Sequence, residues 1–136
     1  MALSDLPKLA GGLPGFDELT KLLAESRSAV EIEGLAGPAK AFGLARLFAR
    51  IGRPMLVVTY SQEAAQRLWD DLVRFGLPEE RVCVLPASQS FFLDGDITDF
   101  RVIGERVAAL MTLAGDEPSV VIGTAEAVLQ RTSLSR

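Results

Sequence analysis

The sequence predicts an α/β domain, a three-layer arrangement of a parallel sheet flanked by helices, and three observations carry that prediction. Short apolar runs recur along the 136-residue chain, at 29–33 (AVEIE), 55–60 (MLVVTY), 81–85 (RVCVL) and 119–124 (SVVIGT). The last three are nearly continuous, the pattern of strands buried on both faces of a sheet. Helical periodicity separates the runs, and strands alternating with helices argue for right-handed βαβ units. The first run departs from this pattern, because Glu31 and Glu33 alternate with Val30 and Ile32. It is expected to be a strand, though not one with the composition of a central strand.

Each helix is legible from its periodicity or its ends. Pro14, with Asp17 and Glu18 in the first turn, starts a helix through FDELTKLLAES. In KAFGLARLFARI, Leu44, Leu47, Phe48 and Ile51 recur at helical spacing, and Arg46 and Arg50 are assigned to the polar face. From Gln62 to Phe75 the inward positions are Ala65, Leu68, Trp69, Leu72 and Phe75, with Ser61 as N-cap and Gly76, Leu77 and Pro78 as the stop. A further helix is expected from Asp99 to Ala114, with Phe100, Ile103, Val107, Leu110 and Met111 inward and Gly115 closing it. AEAVLQR reads as a short terminal helix. The whole is read as one domain over 1–136, a helical lead-in at 1–28 followed by a βαβ core at 29–136, with no internal repeat or linker.

Composition narrows the chemistry. The chain has no histidine and one cysteine, Cys83, within the apolar VCVL, which excludes Ser-His-Asp and Cys-His catalysis and the ordinary zinc sites. A net charge of −4 disfavours a broad basic surface for nucleic acid, whose affinity comes mainly from phosphate neutralisation. MALSDLPKLAGG lacks the positive region and continuous apolar core of a signal peptide, and no apolar run approaches membrane-spanning length. A cytoplasmic protein with no membrane partner is the expectation.

The stretch GLAGPAKA at 34–41 lies between the first apolar run and a helix, where a phosphate-binding loop G-x-x-x-x-G-K-[ST] would stand. Gly34 and Lys40 match, and Gly37 adds a second flexible position. Ala39 replaces the second motif glycine and places a Cβ in a turn that must approach a phosphate closely. Ala41 replaces the hydroxyl that would ligate magnesium, and Pro38 removes a backbone N–H. From these residues alone two readings stay open: a cradle that has lost its parts, and a chance spacing of glycine and lysine.

Taken in order, EGLAGPAKAFGLARL, PMLVVTYSQEAAQRLWDDLVRF, VLPASQSFFLDGDITDFRVIGERVAAL and VVIGTAEAVLQR resemble the N-terminal part of a bacterial transcription-repair coupling factor (Mfd), over roughly residues 10–132. The first module of that family is itself similar to the damage-recognition protein UvrB. The resemblance implies a P-loop NTPase half-domain of the RecA/UvrB type with a degenerate nucleotide site, and the alanines at 39 and 41 place the chain on the degenerate side. It implies no cofactor and no catalysis by this chain, since the family's ATP-driven DNA translocation belongs to a motor far downstream. No apolar run ends in Asp or Glu as a Walker B strand would.

The partners it implies are the other domains of a coupling factor, with UvrA, RNA polymerase and DNA reached only through the full-length protein. The connection after VLPASQS is too short for the aromatic hairpin of UvrB, and Phe91 and Phe92 are read as loop packing. The runner-up function is a small nucleotide-binding or NTP-hydrolysing protein with an atypical loop built on Lys40. A third reading is a stand-alone partner-binding protein that kept the fold and shed the chemistry.

The remaining polar groups have modest expectations. DGDITDFRVIGE spaces Asp94, Asp96, Thr98 and Glu105 like a calcium loop, but Asp99 stands where glycine is required, so capping is favoured. Arg46, Arg50 and Arg53, with Arg101, Glu105 and Arg106, are the candidates for contacts to other domains; Arg101 and Glu105 stand at i,i+4 spacing. Trp69 is assigned to the core, and Asp70 and Asp71 to a solvated helix edge.

Overall fold

The computed structural model describes residues 15–25, 29–87 and 100–130. In chain order these form α1 (Phe16–Glu25), α2 (Pro38–Ile51), β1 (Met55–Thr59), α3 (Gln62–Arg74), a 3₁₀ turn (Glu79–Arg81), β2 (Val82–Leu85), α4 (Phe100–Ala114), β3 (Val120–Thr124) and α5 (Ala125–Leu129). The three strands make one parallel sheet in the order β1-β3-β2. Val57 stands opposite Ile122, which in turn stands opposite Val84. The central β3 is buried along its whole length, so its continuous apolar run matches its position.

The sheet has two differently covered faces. Met55, Val57, Val82, Val84, Val120 and Ile122 point to one side and pack with Ala41, Ala45 and Phe48 of α2 and with Ala65, Leu68, Trp69 and Leu72 of α3. On the other side Leu85 and Val121 meet Ala109 of α4 and Ala127 of α5. The second cluster is smaller, and it covers β2 and β3 better than β1.

α3 shows how local sequence fixes an element. The Ser61 hydroxyl accepts from the Ala64 N–H at 3.1 Å, which closes the first turn. At the other end Gly76, with φ 94°, turns the chain, and the N–H groups of Gly76 and Leu77 donate to the carbonyls of Val73 and Leu72. These are the two bonds of a Schellman stop, and Leu77 is buried in the same cluster as Leu72, as that motif's apolar contact requires. The Trp69 Nε1–H donates to the Val82 carbonyl at 2.9 Å, so its indole joins helix to strand from a half-buried position. Replacing Ser61 with alanine is expected to remove about 1 kcal/mol of stability by leaving that N–H unmatched, measured by urea unfolding at unchanged m.

Two sequence expectations are corrected. Residues 29–33 form no strand: they are exposed and have no ladder partner. A strand exists only by pairing, and no described element offers these residues a neighbour. In α4 the helix is present, but it is turned roughly a quarter-turn from the expected face, at about 100° per residue. Phe100, Ile103, Val107 and Met111 are exposed, Leu110 packs inward as expected, and Arg106 and Ala109 are buried. The small Ala109 lets the helix approach the sheet, and the polar end of Arg106 has carbonyls to meet there. The expected start of this helix at Asp99, and Asp94, Asp96, Thr98, Phe91 and Phe92, lie outside the described residues.

Candidate functional site

The loop before α2 is built by two glycines and a proline. Gly34 has φ 83° and Gly37 φ 52°, both in the left-handed region that glycine adopts at low cost. Gly37 is the N-cap of α2 without a side-chain cap, and Pro38 supplies the first helical residue, a position where its missing N–H costs little. The Ala39 and Lys40 N–H groups donate to the carbonyls of Ala36 and Gly37 at 3.1 and 3.2 Å. Two amides that a phosphate cradle would aim at its anion are therefore already engaged within the turn.

The side chains of the loop divide sharply. Residues 34–40, including Gly34, Gly37, Ala39 and Lys40, are exposed, whereas Ala41 is 1% exposed and belongs to the core between α2 and the sheet. Position 41 thus contributes packing. The α2 helix ends at Gly52 in the left-handed conformation, its N–H on the Phe48 carbonyl.

The cationic residues around α2 and α4 have quite different surroundings. Arg46 is 7% exposed, with its guanidinium 4.5 Å from the centre of the Phe16 ring and its Nη1 buried without a hydrogen-bond partner among the described residues. It does not share the solvated face assigned to it with Arg50. Arg50 is exposed and pairs with Asp17, so α1 is joined to α2 by a stacked cation and an ion pair. Asp17, Thr20, Lys21 and Arg50 line a shallow depression of about 430 Å³ beside this junction. Arg53 is exposed ahead of β1.

Arg101 and Glu105 form the expected i,i+4 pair, at 2.7 Å and largely exposed. Arg106 is the residue whose structural weight the spacing understated. Its Nη1 donates to the Pro86 carbonyl at 2.6 Å and to the Ala127 carbonyl at 3.2 Å, joining the chain after β2 to α5. The signal was present, since Arg106 precedes Ala109 and Leu110 by three and four residues and shares their stripe. Periodicity cannot reveal that carbonyls wait at its tip.

Among the described residues no group of three or more His, Cys, Asp or Glu side chains is arranged to hold a metal ion. Cys83 is half-buried, and burial pushes its thiol above the ordinary value, opposed in part by a hydrogen bond with Thr112. That environment disfavours a nucleophilic thiolate. No helix among the described residues is long and apolar enough to cross a membrane.

These features define a class: a parallel α/β module with helices on both faces and a glycine- and lysine-bearing loop leading into its first core helix. Within that class the chain is related to a segment of a transcription-repair coupling factor. It is 33% identical over 115 residues to the transcription-repair-coupling factor of Myxococcus xanthus, and the match takes in 81% of this chain and 9% of that protein. No family model and no solved structure matches the chain.

Proposed function

We propose that this chain acts as a non-catalytic N-terminal module of a transcription-repair coupling factor, similar in fold to the first module of UvrB and carrying a degenerate phosphate loop. The similarity to the Myxococcus coupling factor carries the reading, and the proposed setting is transcription-coupled nucleotide excision repair. In that role the module supports the domain that recruits UvrA and packs against other domains to restrain the downstream ATP-dependent translocase. RNA polymerase and DNA are met by the full-length protein, in the cytoplasm. The loop supports a role without catalysis on three counts: engaged amides at 39 and 40, no N–H at Pro38, and an apolar core position at 41 in place of a magnesium ligand. Exposed Arg50, Arg53 and Arg101 remain the surface groups for contacts to other domains.

Calorimetric titration with Mg-ATP tests the loop directly, using the natural chain, Lys40→Ala, and a chain carrying Ala39→Gly with Ala41→Ser. Serine is chosen at 41 because threonine would force two more heavy atoms into a site that is 1% exposed. The natural chain is expected to show no saturable heat at millimolar nucleotide. Magnesium-dependent binding that disappears in Lys40→Ala would replace this reading with that of a small nucleotide-binding protein.

A further inference from the structure

We infer that α1 is a clasp poised to open, seated on α2 over an arginine that it holds out of water, and able to lift while the core stays folded. Phe16 is the one buried residue among those described in α1, and Leu19 and Leu23 are half-buried. Although buried, Phe16 belongs to neither of the two apolar clusters that pack on the sheet. α2 turns Ala41, Ala45 and Phe48 toward the sheet, so the residues that hold the core and those that hold α1 are different sets.

Beneath Phe16 lies the Arg46 guanidinium, and a comparison with Arg106 shows what is unusual about it. The two arginines are equally buried, yet Arg106 donates to two carbonyls, whereas Arg46 has an aromatic face, an unmatched Nη1 and no carboxylate among the described residues. A ring face returns only part of what a guanidinium loses on leaving water. Being enclosed, Nη1 is beyond the reach of any further domain while Phe16 is seated. Burial of the Phe16 ring therefore holds α1 down, and the desolvated cation pushes against it.

The second link between the helices, Arg50 with Asp17, is exposed on both sides, and such pairs contribute little and are screened by salt. Residues 29–37, which lead into α2, are exposed and form no helix or strand, so α1 can swing away without breaking a ladder. In the open form Arg46 and Arg50, one turn apart on α2, both face water. Dissolved anions interact better with that form than with the closed one, and a solute shifts an equilibrium by that difference. Added salt thus loosens the clasp twice, by screening the ion pair and by favouring the open cations.

Amide hydrogen exchange of the 136-residue chain tests the proposal, with α1 read against α3 as the gauge of the folded core. In the natural chain α1 is expected to exchange well ahead of α3, and to exchange faster still between about 0.05 and about 1 M sodium chloride while α3 is unchanged. Phe16→Ala should speed α1 at least about tenfold and leave α3 protected. Arg46→Met keeps an apolar stem and removes the charge, so it should slow α1 at least about threefold. A merely structural arginine would give the opposite sign. Equal protection of α1 and α3, an α1 rate indifferent to salt, or an Arg46→Met chain that exchanges faster in α1 or loses protection in α3 would each overturn the proposal.

Discussion

Replacing Leu72 with alanine is expected to lower the unfolding free energy by about 3 kcal/mol, within the roughly 2–5 kcal/mol range of buried leucine truncations. Leu72 is 0% exposed and is among the largest fully buried side chains described. It joins the inner face of α3 to a cluster that includes Val82, Val120 and Ile122, and it is one partner of the apolar contact that closes the helix at Leu77. Truncation removes contacts to the sheet and to the stop motif together, so little is left to collapse into the space. Urea unfolding should show a lower midpoint at unchanged m. A loss below about 1 kcal/mol would mean that the α3–sheet contact is not the principal core.

Arg106→Met is the second large effect, expected at about 2 kcal/mol of lost stability from the balance of two opposed terms. Methionine keeps an apolar stem of similar reach but gives up the donor shared by the Pro86 and Ala127 carbonyls. Hydrogen bonds from a charged group contribute about 1.5–3 kcal/mol each, and their loss leaves two carbonyls to be rehydrated. Against this, the variant no longer has to hold a cation that is only 7% exposed, a burial whose cost can rival the gain. We expect the hydrogen bonds to win because one guanidinium serves two carbonyls at once, that of Pro86 just after β2 and that of Ala127 in the middle of α5. Hydrogen exchange should then report earlier opening around α5. If Arg106→Met proves as stable as the natural chain, desolvation governs this site and Arg106 is a specificity device.

The sequence resemblance named the family in which a similar protein was found, and of the residues that carried it, VVIGTAEAVL maps onto β3 and α5. The loop was equally legible at the level of single residues. Ala39, Ala41 and Pro38 each remove one requirement of a phosphate cradle, which is a statement of local chemistry. That the Ala39 and Lys40 amides turn inward, and that Ala41 belongs to the core, are properties of the folded loop.

By itself the sequence determined the three strands of the sheet, the ends of α3 and the alternation that makes the fold α/β. Those features depend on continuous apolar runs, a serine cap and a glycine stop, all acting within a few residues. Tertiary structure decided the rest. Residues 29–33 have a strand's alternation but no ladder, because a strand needs a neighbour and the sequence of one segment cannot supply it. The apolar residues of α4 extend around enough of the helix to allow more than one inward face. The close approach at Ala109 and the carbonyls that receive Arg106 chose among them. Arg46 likewise reads as a solvated cation until Phe16 comes over its guanidinium. In each case the deciding partner is distant in the chain, so the choice is made only when the elements pack.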